Sequence, residues 1–195
     1  MNNHLAVDIA LLPPDVESEK IINLVEHFDD KPTKLNSVDC LPHITLAMGV
    51  IKKTKLETAF QIIDALSKNM GEIPISIQRA DITTLPNHVK ISELIVEPSP
   101  DILKLHMDVM DAFIDLLTND NVRLDYFISP PEVSTQSIYW VQNYFKHHQS
   151  VDDYRPHITL GEGILKNLPN QIRFNASTLT LCHLGTYCTC RKILF

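Results

Sequence analysis

Apolar residues along this chain recur in two patterns, short continuous runs and helical spacings, and the two patterns alternate. The first run covers residues 5–12, is interrupted by Asp8 and ends at Pro13-Pro14, so it predicts a strand. Asp15 follows as a helix cap, with apolar residues every three or four positions from residue 21 to residue 28. The first 28 residues therefore predict a strand followed by a helix.

The rest of the chain continues this alternation without a linker. Thr54 to Glu57 has the sequence of a capping box, Gly71 lies beyond the helix that it opens, and Ser99-Pro100 starts another helix. The same patterns predict a helix over 134–148 and strands over 42–50, 73–85, 88–96, 155–161, 172–184 and 187–194. With 195 residues, 44% of them hydrophobic and 21% charged, we expect one folded domain spanning residues 1–195.

Charge and composition exclude several classes of protein. The net charge of −7 argues against a protein that holds long nucleic acid, because such proteins neutralise phosphates with a basic surface. No apolar run is long enough to span a membrane and no secretory signal is present, so we expect a cytoplasmic protein that acts as a monomer without membrane contact. The four cysteines form no C-x-x-C pair, which favours reduced, packed thiols.

An internal repeat is the most informative feature of the sequence. Residues 42–46, Pro-His-Ile-Thr-Leu, recur at residues 156–160, so that His157 lies 114 residues after His43. Each histidine is followed six residues later by a glycine, Gly49 or Gly163. This spacing is too long for a solenoid and favours two similar halves that face each other.

The repeated motif places its polar side chains on one face of a strand. His43 and Thr45 are two residues apart, so their side chains share a face at a separation of about 7 Å, and the same holds for His157 and Thr159. If the halves pack with approximate twofold symmetry, two imidazoles and two hydroxyls meet in one cleft.

Two histidines and two hydroxyls suit phosphodiester chemistry. Displacement at phosphorus needs a base for the incoming oxygen and an acid for the leaving oxygen, and imidazoles fill both roles near neutral pH. Threonine hydroxyls can donate to the non-bridging phosphate oxygens, which gain charge in the transition state. The arrangement requires no metal and no other cofactor.

The paired H-x-T motifs resemble those of the two-histidine phosphoesterase superfamily, which includes bacterial 2′-5′ RNA ligase-like proteins and 2′,3′-cyclic phosphodiesterases. The resemblance implies an α+β fold with two pseudo-symmetric lobes of antiparallel sheet, outer helices and an active-site cleft between the lobes. It also implies that His43 and His157 are the acid/base pair and that Thr45 and Thr159 bind phosphate oxygens. The implied activity is metal-independent hydrolysis of a small nucleotide or oligonucleotide with a 2′,3′-cyclic or 2′-5′-linked phosphate.

Three further residues are candidates for substrate binding. Tyr154 and Arg155 directly precede the second motif, and Trp140 lies on the predicted helix before it. RNA ligase-like members often carry a basic residue shortly after the second motif, where this chain has Glu162. Arg155 is a substitute cation, and Lys52-Lys53 is another.

The sequence leaves three alternatives to hydrolysis open. One is a nucleotide-binding module of the same fold without turnover, although a pure binder needs no acid/base pair. Another is an RNA 2′-5′ ligase-like activity. The third is a zinc hydrolase that uses the histidines as ligands, for which the sequence offers no third ligand.

Overall fold

Two four-stranded antiparallel sheets with helices outside them form the protein, as the resemblance implied. The computed structural model describes residues 3–31, 33–166, 168 and 170–195. The strands are β1 (His4–Leu12), β2 (Ile44–Lys52), β3 (Ile73–Thr84), β4 (Lys90–Val96), β5 (His157–Glu162), β6 (Ile172–Ala176), β7 (Thr178–Leu184) and β8 (Cys190–Ile193). The helices are α1 (Asp15–Asn23), α2 (Leu56–Met70), α3 (Pro100–Phe113) and α4 (Thr135–His147).

Each sheet forms one lobe. The first lobe has the strand order β2-β1-β7-β8, and the second has the order β5-β4-β3-β6. The strand that carries each repeated motif is thus an edge strand, β2 in the first lobe and β5 in the second, and these two edges contact each other. The main apolar core draws on both sheets and on the helices, and it includes Ile44 and Ile158 of the two motifs.

Local sequence accounts for the longer helices. Ser99 accepts a hydrogen bond from the backbone N–H of Ile102 at the start of α3, and Ser134 does the same for Ser137 at the start of α4. The predicted capping box at Thr54 is not formed, because residues 53–55 form a 3-10 turn and α2 begins at Leu56 without a side-chain cap. Gly71 follows α2 with a φ of 65°, as expected for a helix end.

The chain crosses between the lobes where the sequence predicted one uninterrupted strand. Residues 172–184 form two strands separated at Ser177, and β6 belongs to the second lobe whereas β7 belongs to the first. Ser177 is flanked by no glycine or proline, so the local pattern carried no signal of the break. Each sheet therefore contains strands from both halves of the sequence.

The cysteines differ from the expectation of four reduced thiols. Cys182 on β7 and Cys190 on β8 form a disulfide, while Cys40 and Cys188 are free and buried. The predicted strand over 187–194 is also shorter, because residues 186–188 form a turn and β8 begins at Cys190. Two neighbouring antiparallel strands bring the paired cysteines to a Cα–Cα distance of 5.4 Å, within the usual range for a disulfide.

None of the described helices is long and apolar enough to traverse a lipid bilayer.

Candidate active site

A cleft of about 340 Å³ lies between the lobes and is lined by both repeated motifs. His43 and Thr45 line it from the first lobe, and His157 and Thr159 line it from the second. The three candidate binding residues, Trp140, Tyr154 and Arg155, also line this cleft. Lys52 and Lys53 are not among its lining residues.

Each motif strand contains a bulge at the same position of the repeat. Thr45 pairs with Ala10 and Ala47 pairs with Ile9, so Leu46 has no partner in the ladder. The second lobe repeats this pattern, in which Thr159 pairs with Glu93, Gly161 pairs with Ser92, and Leu160 is the extra residue. A bulge bends its strand and redirects the neighbouring side chains, so both motif strands are bent at the same position of the repeat.

The backbone carbonyls of the two bulge residues, Leu46 and Leu160, accept hydrogen bonds from residues outside the sheets. Nδ1 of His106, on α3, hydrogen-bonds the carbonyl of Leu46 at 2.7 Å. The backbone N–H of Leu35 donates to the carbonyl of Leu160 at 3.2 Å. Buried carbonyls need such partners, so His106 has a structural role behind the first motif.

The two motif histidines are held by equivalent hydrogen bonds. Nδ1 of His43 donates to the carbonyl of Leu41 at 2.8 Å, and Nδ1 of His157 donates to the carbonyl of Arg155 at 2.9 Å. A carbonyl can only accept, so each Nδ1 carries a proton and Nε2 is the ring nitrogen that can gain or lose one. His43 is 8% exposed, whereas His157 is half-buried.

A buried carboxylate lies beside the first motif. Oδ2 of Asp8 accepts a hydrogen bond from Oγ1 of Thr45 at 2.6 Å and lies 3.5 Å from Nε2 of His43. Burial raises the pKa of Asp8, and His43 and Thr45 offset part of that rise. Burial alone would lower the pKa of His43, but the Asp8 carboxylate outweighs it, so the pKa of His43 is raised above its ordinary value.

The second motif has a different environment. The hydroxyl of Thr159 makes no hydrogen bond within the described residues, so it is open to a ligand. Its partner across the sheet is Glu93, a carboxylate that also lines the cleft and accepts a hydrogen bond from Thr83 at 3.1 Å. The expected equivalence of Thr45 and Thr159 therefore does not extend to their hydroxyls, because that of Thr45 donates to Asp8.

Tyr154 and Arg155 occupy different parts of the cleft wall. Tyr154 is 5% exposed, stacks on His106 at 3.8 Å between ring centroids, and donates its hydroxyl to the carbonyl of Thr45 at 2.7 Å. It therefore supports the first motif as well as lining the cleft. Arg155 is exposed at the cleft margin, with its guanidinium 3.9 Å from the carboxylate of Asp81.

Two aromatic side chains border the cleft from the first lobe. The rings of Trp140 and Tyr187 lie 6.3 Å apart at an angle of 54°. Tyr187 has a φ of 52° and Cys188 a φ of 56°, both in the left-handed region that non-glycine residues rarely adopt. The hydroxyl of Tyr187 accepts a hydrogen bond at 3.4 Å from Asn87, which belongs to the turn between β3 and β4, so this contact bridges the two lobes.

Comparison with known proteins extends the description of the fold. No protein-family model and no curated protein matches the sequence. The solved structure of TT0787 of Thermus thermophilus superposes with a TM-score of 0.62, covering 98% of this chain and 96% of TT0787. The two chains share a fold. Their sequences are 12% identical, so the likeness concerns architecture alone.

Sequence reasoning did not find Glu93 and Tyr187 in the cleft lining, nor the role of Asp8, which contacts the first motif without lining the cleft. Asp8 was seen as the charge that interrupts an apolar run, which is a signal for a buried polar role. Glu93 and Tyr187 carry no such signal, because Glu93 is one polar position in an alternating strand and Tyr187 falls at the start of the strand predicted over 187–194. The described residues contain no group of three or more His, Cys, Asp and Glu side chains placed to hold a metal ion.

Proposed function

We propose that this protein is a phosphodiesterase that hydrolyses a small nucleotide or short oligonucleotide through paired-histidine acid/base catalysis. The observation that carries the proposal is the matched pair of imidazoles. Nδ1 of each donates to a backbone carbonyl, and both residues line one cleft. A structural histidine needs no such duplication.

The chemistry follows from the two Nε2 atoms. One imidazole accepts the proton of an attacking water while the water oxygen bonds to phosphorus. The other imidazole donates its proton to the leaving oxygen as the old P–O bond breaks. The free hydroxyl of Thr159 stabilises the phosphate oxygens, which gain negative charge during the displacement. Protons then exchange with solvent and restore the starting state.

The cleft also favours a particular kind of diester. Its volume of about 340 Å³ lies at the lower end of ligand sites and suits a mononucleotide or dinucleotide. Trp140 and Tyr187 offer ring faces for a base. Glu93 and Asp153 in the lining disfavour extra phosphates, against which Arg155 supplies a single positive charge. We therefore expect a substrate with one phosphodiester and no terminal phosphate chain.

We further infer membership of the two-histidine phosphoesterase superfamily. The two H-x-T-apolar motifs, the two-lobed architecture and their position at the facing sheet edges support this inference. A nucleotide-binding module without turnover and an RNA 2′-5′ ligase-like activity are the competing outcomes of the test below.

Product analysis tests the proposal directly. The purified protein is incubated with 2′,3′-cyclic nucleotides, 3′,5′-cyclic nucleotides and 2′-5′-linked dinucleotides, and the products are identified by liquid chromatography and mass spectrometry. We expect hydrolysis of a cyclic or 2′-5′-linked diester that His43→Asn and His157→Asn each slow by about 10²–10⁴-fold. Binding without any product in the wild type would establish the binding module instead, and a longer product joined by a new 2′-5′ linkage would establish the ligase.

A further inference from the structure

Asp8 is a charged residue in the middle of an otherwise apolar strand. It lies at the centre of β1, its side chain is 0% exposed, and the next residues on either side, Val7 and Ile9, are buried in the core. Burial of a carboxylate is costly unless a cation or hydrogen-bond donors compensate for the lost water. Its place in this strand therefore requires a reason beyond packing.

The compensation comes from the first motif. Oδ2 of Asp8 receives the hydroxyl of Thr45 at 2.6 Å and lies 3.5 Å from Nε2 of His43, whereas Oδ1 is buried without a hydrogen-bond partner in the described chain. A carboxylate whose second oxygen is unpaired depends strongly on a nearby positive charge. The His43 imidazolium is the group at ion-pair distance.

The second lobe has no such carboxylate at the equivalent position. Asp8 pairs with Met48, which lies three residues after Thr45 on the motif strand. The residue three after Thr159 is Glu162, and its partner on β4 is Ile91, which is apolar and 3% exposed. The two motifs thus share backbone geometry but differ at the side chain behind the histidine.

We propose that Asp8 differentiates the two histidines, making His43 the protonated general acid and leaving His157 as the general base. This assignment rests on the proposed function. His157 Nε2 takes a proton from water as the water oxygen bonds to phosphorus. His43 Nε2 gives its proton to the leaving oxygen as that P–O bond breaks, so His157 ends protonated and His43 ends neutral.

The surroundings of Asp8 support this division. The other ionisable groups that sense its charge are His157, Tyr144, Tyr154 and Cys188. Burial raises the pKa of both tyrosines and of the Cys188 thiol, so these three groups are neutral near pH 7. The pair of Asp8 and His43 therefore keeps one proton to a higher pH than an isolated histidine does.

A leaving-group comparison separates the acid from the base. One substrate is the diester that the wild type hydrolyses in the panel described above. The other is the 4-nitrophenyl ester of thymidine 5′-phosphate, whose leaving group departs as a stable anion and needs no proton. His43→Asn should lose about 10²–10⁴-fold on the first and remain within about tenfold of wild type on the second. His157→Asn should be impaired on both esters. The reverse pattern would overturn the assignment.

The role of Asp8 is tested by the pH profile of kcat/KM. Asp8→Asn removes the charge but keeps an oxygen to accept from Thr45. We expect the high-pH limb to move to lower pH, with a loss of about tenfold on that limb, while the low-pH limb stays in place. Asp64→Asn, at an exposed carboxylate paired with Lys68 on α2, is the matched control and should leave both limbs unchanged. A uniform loss at every pH in Asp8→Asn would indicate a structural role and overturn the proposal.

NMR titration of His43 in the wild type tests the assignment even if the Asp8→Asn variant does not fold. The imidazole resonance of His43 is assigned by NMR with the His43→Asn variant, and its titration midpoint in the wild type should lie above the ordinary histidine value. A midpoint of His43 at or below that value would overturn the assignment. Inactivity of the wild type toward every diester would overturn the proposed function as well, whereas activity with an unraised His43 midpoint would overturn the assignment alone.

Discussion

Nδ1 of His43 and Nδ1 of His157 make the same hydrogen bond, each to the carbonyl of the residue two positions before it. The donor–acceptor distances are 2.8 Å to Leu41 and 2.9 Å to Arg155. This bond fixes the ring orientation and the tautomer in both lobes, so that neither imidazole has to reorganise when a ligand arrives. Preorganisation of this kind is what proton transfer in an active site requires.

Replacing either imidazole should remove one of the two proton transfers. We expect His43→Ala and His157→Ala each to lower kcat by about 10²–10⁴-fold on the substrate identified from the panel. The double variant should lose less than the product of the two effects, since both groups serve one displacement. His147→Ala, an exposed residue of α4 that does not line the cleft, is the control. Near-normal turnover in either single variant would contradict the shared mechanism.

The two motif threonines should respond differently to loss of the hydroxyl. Thr159→Val removes a free donor to the phosphate and should lower kcat/KM by roughly ten- to 150-fold at every pH, with little change in stability. Thr45→Val removes the O–H that bonds Asp8, so the free energy of unfolding should fall by about 1.5–3 kcal/mol. Urea denaturation and pH-dependent kinetics measure the two effects. The matched Ser variants should retain most of each property, and equal destabilisation by both Val changes would contradict this division.

The aromatic pair at the cleft should act on substrate binding. Removing one stacking ring costs about 1–3 kcal/mol per base, so Trp140→Ala and Tyr187→Gly should raise KM by roughly five- to 150-fold. Glycine suits the left-handed backbone of Tyr187, which offsets part of the stability lost with the hydrogen bond to Asn87. Tyr139→Ala, which changes an exposed ring on the same helix as Trp140, is the control. An unchanged KM in both test variants would assign these rings to packing.

Chelation should leave the activity intact. The arrangement needs proton transfer and hydrogen-bond donors, and the described chain offers no cluster of metal-ligating side chains at the motifs. We expect kcat to survive prolonged treatment with EDTA, measured on the panel substrate before and after desalting. Loss of activity that zinc or magnesium restores would move the protein to the metal-dependent hydrolases.

Stability should decrease as the solution becomes acidic through the ordinary histidine range. Burial lowers the pKa of His106, which is 0% exposed and stacked on Tyr154. A lowered pKa means that the unfolded chain binds the proton more tightly than the folded chain does. The stability that neutral His106 contributes is therefore lost as the pH falls below about 6.5. The pKa of His43 is raised, and its contribution runs in the opposite direction.

A variant that cannot titrate at position 106 measures how much His106 contributes to the loss of stability in acid. His106→Asn keeps a donor for the carbonyl of Leu46 but cannot titrate. Between about pH 7.5 and about pH 5.5, the urea midpoint of this variant should fall less than that of the wild type. An equal fall in both proteins would show that His106 does not govern the acid sensitivity.

Local patterns predicted the elements whose determinants are close in sequence. The cap at Ser99, the strands on either side of the turn after β3 and both motif strands follow from capping residues, turn residues and apolar alternation. The break at Ser177 did not, because it is imposed by which lobe each flanking strand joins. The disulfide of Cys182 likewise depends on the pairing of β7 with β8, which spacing alone does not reveal.

The candidate site was predictable as far as the repeat reached. The repeat identified the two histidines and the two threonines. Trp140 was a further candidate because it lies on the predicted helix before the second motif. Asp8 lies 37 residues before Thr45, and its role follows from the antiparallel pairing of β1 with β2. A polar residue in an apolar run indicates a special environment, but its partners are set by tertiary structure.

The interleaving of the two sheets has a consequence for the order of folding. The central strand β1 pairs on one side with β2 but on the other with β7, where Val7 meets His183. All four strands of the second lobe lie between these partners in the sequence. During synthesis, all four strands of the second sheet are therefore made before the last two strands of the first. The edge of β1 that pairs with β7 stays unpaired until a late loop closure, which is entropically costly. Folding intermediates should thus be ordered in the lobe of His157 while the lobe of His43 is still open to chaperones.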